Sequence, residues 1–498
     1  MAYRDMREFL AMLENEGQLK RVHSPIRVDR GHSELDGVMR LLHERRGPAL
    51  IMDNLVGETA PRVPLVFNPF GTRERTAMTV GAKTWFEAKS RVADLLNDPG
   101  RWHAPVVVDR SQATCKDVII RGDDISLDRD LPVVWYGKEG PSYICNAVSV
   151  TRDPETGERN VGWYRYAQYF NASHPLGGTY TEEQVKRRLA GFVWWNPPMN
   201  HIGLHFSKAV KQGRPLQVAL AAMADPAVHA AAATGLPYGV DEFEFAGGLR
   251  ESPVELVRCE TVDLEVPAHA EWVIEGELIP GEPSTIGPHG NPGGYYDKVL
   301  WLPEMRVNCI TRRRDPMWYT TQEMVPPFDH VYMALLPVEA EVFSDLKRKI
   351  PEVKDVAASP NLGFVVQLSV DGAAKPHAEF GKYILHAVWG SAGRWGRTAK
   401  MVVVVGPDVD PYDWNSIEWA IMTRVQPHSD TIINRSGQAY LLDPSPPRSE
   451  QGIPVMSEQI GIDATIKIPE RFKEYPESAN ADPALVRELA ARLQRELE

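Results

Sequence analysis

Cysteine is scarce in this chain. Cys115, Cys145, Cys259 and Cys309 are the only four in 498 residues, widely separated and without a Cys-x-x-Cys pair. Such spacing excludes a disulfide framework and a zinc ribbon and fits a reducing compartment, so a cytoplasmic protein is expected. Long hydrophobic runs are missing as well. An apolar stretch such as Met401–Val405 is a small fraction of the ~20 residues that a membrane span requires. The segment from Asp5 to Leu19 reads as a charged amphipathic helix and not as a secretory leader. Positive charge is in deficit, with 55 Lys and Arg against 67 Asp and Glu and a net charge of −12, which argues against nucleic acid as a partner. No Gly-x-Gly-x-x-Gly follows a strand pattern and no Walker loop occurs, so a Rossmann dinucleotide site and a P-loop are excluded.

What is present is enough apolar content, 43%, to bury a large core divided among two or three domains. Helix and strand patterns alternate over the first hundred residues: a helix stopped near Gly17, a second from Ser33 to His43, a strand over 49–52, and a helix over 84–97. The middle is strand-rich. Segments 145–151 and 159–169 form a hairpin signal around Pro154–Gly157, and 216–222, 254–259, 262–266 and 270–278 read as further strands. Helices near 202–212 and 226–233 interrupt them, an order that suggests a barrel-like domain. From about 330 the pattern becomes a βα alternation, with helices at 338–349, 378–389 and 413–424 and strands at 363–370 and 401–405. A charged helix over 482–497 ends the chain. The expected divisions are 1–110, 111–325, 326–475 and 476–498.

The run Asn160-Val161-Gly162-Trp163-Tyr164-Arg165 concentrates chemistry in one apparent strand. His201, after Pro-Pro-Met-Asn200, and Glu242, after Gly-Val-Asp241, lie downstream. An amide oxygen, an imidazole and a carboxylate suit a divalent ion of the Mg or Mn kind, one able to grip a phosphate. Each residue alone is unremarkable, since a lone Asn, His or Glu is usually a turn, core or surface residue; the joint pattern carries the signal. His201 and His205 also have the His-x-x-x-His spacing of zinc sites, but no convincing third ligand accompanies them. Arg165 could present its planar fork of donors to a substrate carboxylate. Trp163, Tyr166–Phe170 and Trp194-Trp195 supply aromatic surface suited to a flat substrate or to a core.

With the later segments Val266–Glu282, Gly287–Tyr296 and Gly461-Ile-Asp-Ala-Thr-Ile-Lys467, this order resembles the UbiD family of decarboxylases that use prenylated FMN, from about residue 5 to about residue 475. The resemblance implies a mixed α+β and α/β fold with an N-terminal α/β region, a central split β-barrel that binds the flavin, and a C-terminal α/β oligomerisation domain. It also implies reversible, non-oxidative decarboxylation of an aromatic or heteroaromatic acid through a covalent adduct with the flavin. Removing CO₂ directly from an sp² carbon leaves an electron pair that no side chain can absorb, so a cofactor must act as the sink. Matched residue by residue, Asn160, His201 and Glu242 become Mn²⁺ ligands tied to the flavin phosphate. The carbonyls of Val161, Ala233, Thr234 and Leu236, with Glu242, become a K⁺ site. Gly162, Trp163, Tyr164 and Asn200 would line the flavin, Arg165 would contact it and hold the substrate carboxylate, and Arg394 or Lys400 would reach the phosphate. The resemblance further implies a UbiX-type flavin prenyltransferase as supplier of the cofactor. It also implies a homodimer or homohexamer, with the C-terminal helix reaching a partner subunit.

The pattern departs from the family where many members carry Glu-Gly-Pro-Phe-Gly-Glu. Here the run is Ile286-Gly-Pro-His289-Gly-Asn291, so both carboxylates are replaced, and asparagine cannot transfer a proton in that role. Two histidines are expected to take it over, His330 ahead of His289, with Asp329 beside the first as a further candidate. Polar packing around a ligand pocket is the plain alternative for both. A flavin oxidoreductase on a split barrel and a non-catalytic flavin-binding member remain as other readings of the whole chain.

Overall fold

A computed structural model describes residues 3–493 except 30, 59, 140–141, 171–178, 197, 282, 298–299, 361–362, 392–393, 450–453, 469–470, 472, 480, 482–484, 487 and 491. Its centre is a nine-stranded antiparallel sheet. In spatial order the strands are Arg159–Trp163, Ala147–Arg152, Leu216–Ala222, Trp272–Leu278, Glu304–Arg312, Arg188–Gly191, Tyr166–Gln168 and Ser142–Ile144, with Val118–Arg121 also paired to Glu304–Arg312. Arg159–Trp163 and Tyr166–Gln168 are consecutive in the chain yet six places apart in this order. Laid flat, six spacings of ~4.8 Å would separate them by about 29 Å. The three steps from Trp163 to Tyr166 reach at most about 11 Å. The sheet therefore has to curl on itself, and Tyr164 and Arg165 bridge the two ends of the curl. The expected barrel-like domain is present in this form.

Alternate residues of the central strands feed two cores, as the two-residue period of a strand dictates. Val148, Val150, Ala219, Ala221 and Val273 join one, under helices Pro226–Ala233, Glu242–Arg250, Val331–Lys349 and Trp85–Asn97. Ala147, Val218, Leu220, Trp272 and Ile274 join the other, capped by Ile202, Phe206 and Ala209 of helix His201–Lys211. Because both faces are covered, these strands read as nearly continuous apolar runs.

The N-terminal region supplies three strands of a small sheet, Leu19–Val22, Ala49–Met52 and Leu65–Phe67. Its fourth, Trp318–Thr320, comes from far down the chain and pairs in parallel with Leu65–Phe67. The following residues, 321–330, are thereby fixed against the N-terminal region before helix Val331–Lys349 begins. The C-terminal sheet has the order Val353–Ser359, Gly363–Leu368, Met401–Val405, Ser457–Ala464, Thr431–Gly437. Its inner pairings are parallel, and helix Phe380–Trp389 packs against it.

Several expectations shift in detail. The first helix ends at Asn15, with Asp5 as its N-cap, and the chain is already a strand at Leu19. The helix expected from 338 starts at Val331 and runs through Pro337, whose missing N–H reads in sequence as a helix start. Several elements have no counterpart in the sequence reading, among them helix Glu242–Arg250, the long strand Glu304–Arg312 and the strands Val353–Ser359, Thr431–Gly437 and Ser457–Ala464. The charged tail falls largely outside the described residues. Among the described residues no helix is long and apolar enough to cross a membrane.

N-terminal and C-terminal parts are joined through a buried charge. Lys89 donates to Asp355, to the Val356 carbonyl at 2.8 Å and to the Tyr412 hydroxyl at 2.7 Å, with Glu339 at 3.7 Å. Trp85 donates to the same Glu339 at 2.6 Å. Truncating the lysine leaves carboxylates buried without their cation, so Lys89→Ala is expected to cost about 3–5 kcal/mol in denaturant unfolding. A loss under 1 kcal/mol would show that the pair does not clamp these elements together.

Candidate active site

Asn160 and Val161 lie at one edge of the curled sheet, on Arg159–Trp163, and three helices pack on that strand. Helix His201–Lys211 starts with His201 and is capped by Asn200, whose Oδ1 accepts from the Gly203 N–H at 2.9 Å. Helix Glu242–Arg250 starts with Glu242, capped by Asp241. Helix Pro226–Ala233 ends where Ala233, Thr234 and Leu236 turn the chain, and the Thr234 hydroxyl donates to the Ala230 carbonyl at 2.9 Å. Glu242 is buried and its Oε2 accepts from the Val161 N–H at 2.6 Å. Burial pushes its carboxyl up to about 8. Asn160 is buried beside it, and its Nδ2 has no partner among the described residues. His201 packs edge-on against the Tyr238 ring at 5.3 Å. Among the described residues no three His, Cys, Asp or Glu side chains gather into a metal site. His205 is not part of that set: it is buried, with Nδ1 at 3.0 Å from the Thr151 hydroxyl, and burial pushes it down to about 4.

Gly162 is required where it stands. A Cβ there would fall 2.3 Å from the Tyr164 ring, which folds back over the strand. Trp163 points to the other side, its indole N–H donating to the Cys145 carbonyl at 2.7 Å and its ring 5.6 Å from His330 and 4.9 Å from His229.

Arg165, at the bridge between the two ends of the sheet, is the centre of a second cluster. Its Nη1 donates to Glu323 and to Nε2 of His289, with the Gly290 carbonyl at 3.5 Å. Phe192 lies under the guanidinium at 4.9 Å. All of these hydrogen bonds use Nη1; among the described residues Nη2 and Nε have no protein acceptor, and the side chain stays 18% exposed. The guanidinium thus keeps one edge for a ligand.

Two carboxylates and two imidazoles extend from it. Glu323 Oε1 lies 3.0 Å from His330 Nε2, and His330 Nδ1 lies 3.2 Å from the Thr321 hydroxyl. On the other side His289 Nδ1 lies 3.5 Å from Glu139 Oε1, which accepts from the Gly290 N–H at 3.2 Å. Gly290 allows this approach: a Cβ there would sit 2.4 Å from the Glu323 carbonyl. Burial, then the Arg165 charge, pushes His289 well below its ordinary value, so it is a neutral acceptor of the arginine N–H. Burial pushes Glu139 up to about 8, which keeps it protonated at neutral pH.

The remaining candidates are committed elsewhere. Asn291 closes the turn between His289–Gly290 and Tyr296–Asp297: its Oδ1 accepts from the Gly293 and Tyr295 N–H groups at 2.9 and 3.4 Å, and its Nδ2 donates to Asp297 at 3.2 Å. Asp329 accepts from the Phe70 N–H at 2.8 Å and is pushed up to about 6 by burial. Lys400 is held by Asp443 at 2.8 Å and by Ser445. Arg394 opens a short helix, Arg394–Arg397, and its side chain lies outside the described residues. Glu139 and Glu323 went unnoticed in the sequence. Each is one polar residue in an irregular segment, and neither periodicity nor a motif marks it.

Models of three successive domains of 3-octaprenyl-4-hydroxybenzoate carboxy-lyase match the chain: the N-terminal domain over 10–95, the Rift-related domain over 106–326 and the C-terminal domain over 331–464. Among solved structures, the UbiD-class enzyme HmfF from Pelotomaculum thermopropionicum in complex with FMN is 30% identical. That match has a TM-score of 0.80 over 97% of this chain and 98% of that one. An evolved dimeric form of HmfF in complex with prFMN gives 29% and 0.77 over the same shares. The vanillic acid decarboxylase of Sedimentibacter hydroxybenzoicus in open form gives 27% and 0.80, covering 100% of both chains.

The raised Glu139 carboxyl sets a pH dependence. An unfolded glutamate releases its proton near 4.5, whereas the folded one holds it to about 8, so over that window the unfolded chain binds fewer protons and stability falls as pH rises. Each unit of such a shift corresponds to ~1.4 kcal/mol. Glu139→Gln keeps an oxygen for the Gly290 N–H but cannot ionise. Its stability relative to the parent should therefore climb between pH 5 and pH 8 in denaturant titrations; a flat difference would contradict the assignment.

Proposed function

Because this chain belongs to the UbiD family of carboxy-lyases, we propose that it catalyses the reversible, non-oxidative decarboxylation of an aromatic or heteroaromatic carboxylic acid with prenylated FMN. The observation that carries this reading is the free edge of Arg165. A half-buried guanidinium whose Nη1 is already satisfied, and whose Nη2 and Nε meet no acceptor among the described residues, matches a planar carboxylate bidentately. Trp163 and Phe192 beside it supply flat apolar walls for a ring.

The residues around Asn160 fit the group that such chemistry needs. The orphaned Nδ2 of Asn160 and the buried Glu242 carboxylate are both incomplete without a ligand and a cation. Asn160, His201 and Glu242 would hold a Mn²⁺ ion against the flavin phosphate, with Lys400 or Arg394 as further phosphate contacts. The carbonyls of Val161, Ala233, Thr234 and Leu236, with Glu242, would hold K⁺. Gly162, Trp163, Tyr164 and Asn200 would face the flavin. When bound, prenylated FMN supplies the electron sink that no side chain can provide. Arg165 fixes the carboxylate, and the pocket walls exclude water from the carbon that loses CO₂. Protonation of that carbon falls to the His330 side of the cluster, because His289 and Asp329 are engaged by Arg165 and by Phe70. The proposal extends to a cytoplasmic homodimer or homohexamer supplied by a UbiX-type flavin prenyltransferase.

His201→Ala should lose both manganese and most bound flavin, read by elemental analysis and flavin absorbance; retention of both would remove His201 from the site. Arg165→Lys keeps the charge but not the fork, so turnover of any accepted acid should drop by about 100-fold or more. Near-parental turnover in that variant would place the carboxylate elsewhere.

A further inference from the structure

The geometry points to Glu323, and not a histidine, as the group that hands the proton to the reacting carbon, with His330 reloading it. This inference rests on the decarboxylase reading. Both ring nitrogens of His330 are committed, Nε2 to Glu323 at 3.0 Å and Nδ1 to Thr321 at 3.2 Å, so the imidazole has no free N–H to offer a ligand. Glu323 shares the guanidinium that would seat the substrate: its Oε2 accepts from Arg165 and its Oε1 faces His330. A substrate carboxylate on the free edge of Arg165 places a second anion at one cation. Like charge then favours protonating Glu323, and the proton is available along the 3.0 Å bond from His330.

The step balances without any further reagent. The bond between ring carbon and carboxylate breaks and CO₂ leaves, its electron pair being stabilised by the sink that bound prenylated FMN would supply until the carbon is protonated. The Glu323 O–H bond then breaks and a C–H bond forms with that pair. Glu323 recovers a proton from His330 Nε2, and His330, whose side chain is 12% exposed, recovers one from solvent. One proton is consumed for each CO₂ released.

The test uses flavin-loaded full-length protein, with benzoate as the carboxylate probe. Wild-type protein addresses the decarboxylase reading: it should bind benzoate and exchange ring hydrogens of at least one aromatic acid in D₂O, and failure of both would overturn that reading and this one with it. The variants address Glu323. Glu323→Gln removes an anion that competes for Arg165, so calorimetry should show benzoate binding several-fold tighter, whereas a merely structural role would loosen it. The same variant should lose kcat for decarboxylation and for exchange by about 100-fold with KM unchanged or lower. Glu323→Asp should recover part of that loss. His330→Gln should be slowed about ten-fold or more and accelerated by added imidazole, because Glu323 can then be reloaded from solution. Weaker benzoate binding by Glu323→Gln, or a kcat within about three-fold of the parent, would overturn the assignment. Normal exchange by Glu323→Gln together with a dead, unrescued His330→Gln would make His330 itself the acid.

Discussion

The two-residue bridge from Trp163 to Tyr166 is the constraint on which the site depends. A connection this short cannot join strands six places apart unless the sheet curls until its ends nearly meet. The curl puts Arg165 at the seam, where it sees both ends of the sheet at once. Four residues back along the same strand, Val161 bonds Glu242 on the outer side. One strand and its exit therefore hold a candidate cation site and a candidate carboxylate site at a fixed separation. A rigid cofactor that spans both would find them pre-positioned on one stretch of chain.

Around Arg165 the charges are arranged so that the guanidinium is held but not exhausted. A buried arginine with no anion would be costly, and one with both edges paired would have nothing left for a ligand. Here Glu323 and a neutral His289 share Nη1, and the second carboxyl, Glu139, is kept protonated by burial. Among the described residues the guanidinium keeps one edge unspent. That free edge is where a ligand carboxylate would meet the guanidinium.

The pieces that build this cluster come from distant parts of the chain and are braced from outside it. Strand Trp318–Thr320 completes the N-terminal sheet, which fixes the start of the segment carrying Glu323 and His330. Asp329 bonds the Phe70 N–H and pins the end of that segment. Helix Val331–Lys349 then leads away into the C-terminal part, where Lys89 ties it to the N-terminal helix Trp85–Asn97 through Glu339 and Asp355. The segment 321–330 is thus held at both ends by hydrogen bonds, which is how irregular backbone can place two titratable side chains accurately.

Read alone, the sequence determined the family, the three-part mixed fold, the run from Asn160 to Arg165 and the helix that starts near His201. These are legible because they are local: periodicity, capping and short motifs are written in neighbouring residues. Its resemblance to the family implied that Ile286 and Asn291 stand where many members carry glutamates, and it left protonation to histidines. Only the tertiary structure revealed Glu139 and Glu323 at Arg165, the neutral state of His289, and the commitment of Asn291 to its own turn. Glu139 and Glu323 are 26 and 158 residues from Arg165, in loops without periodicity, so nothing near them in the chain announces what they face. Burial is likewise a property of the assembled core: the same carboxyl that titrates near 4.5 in an open chain holds its proton to about 8 once the surrounding elements close over it.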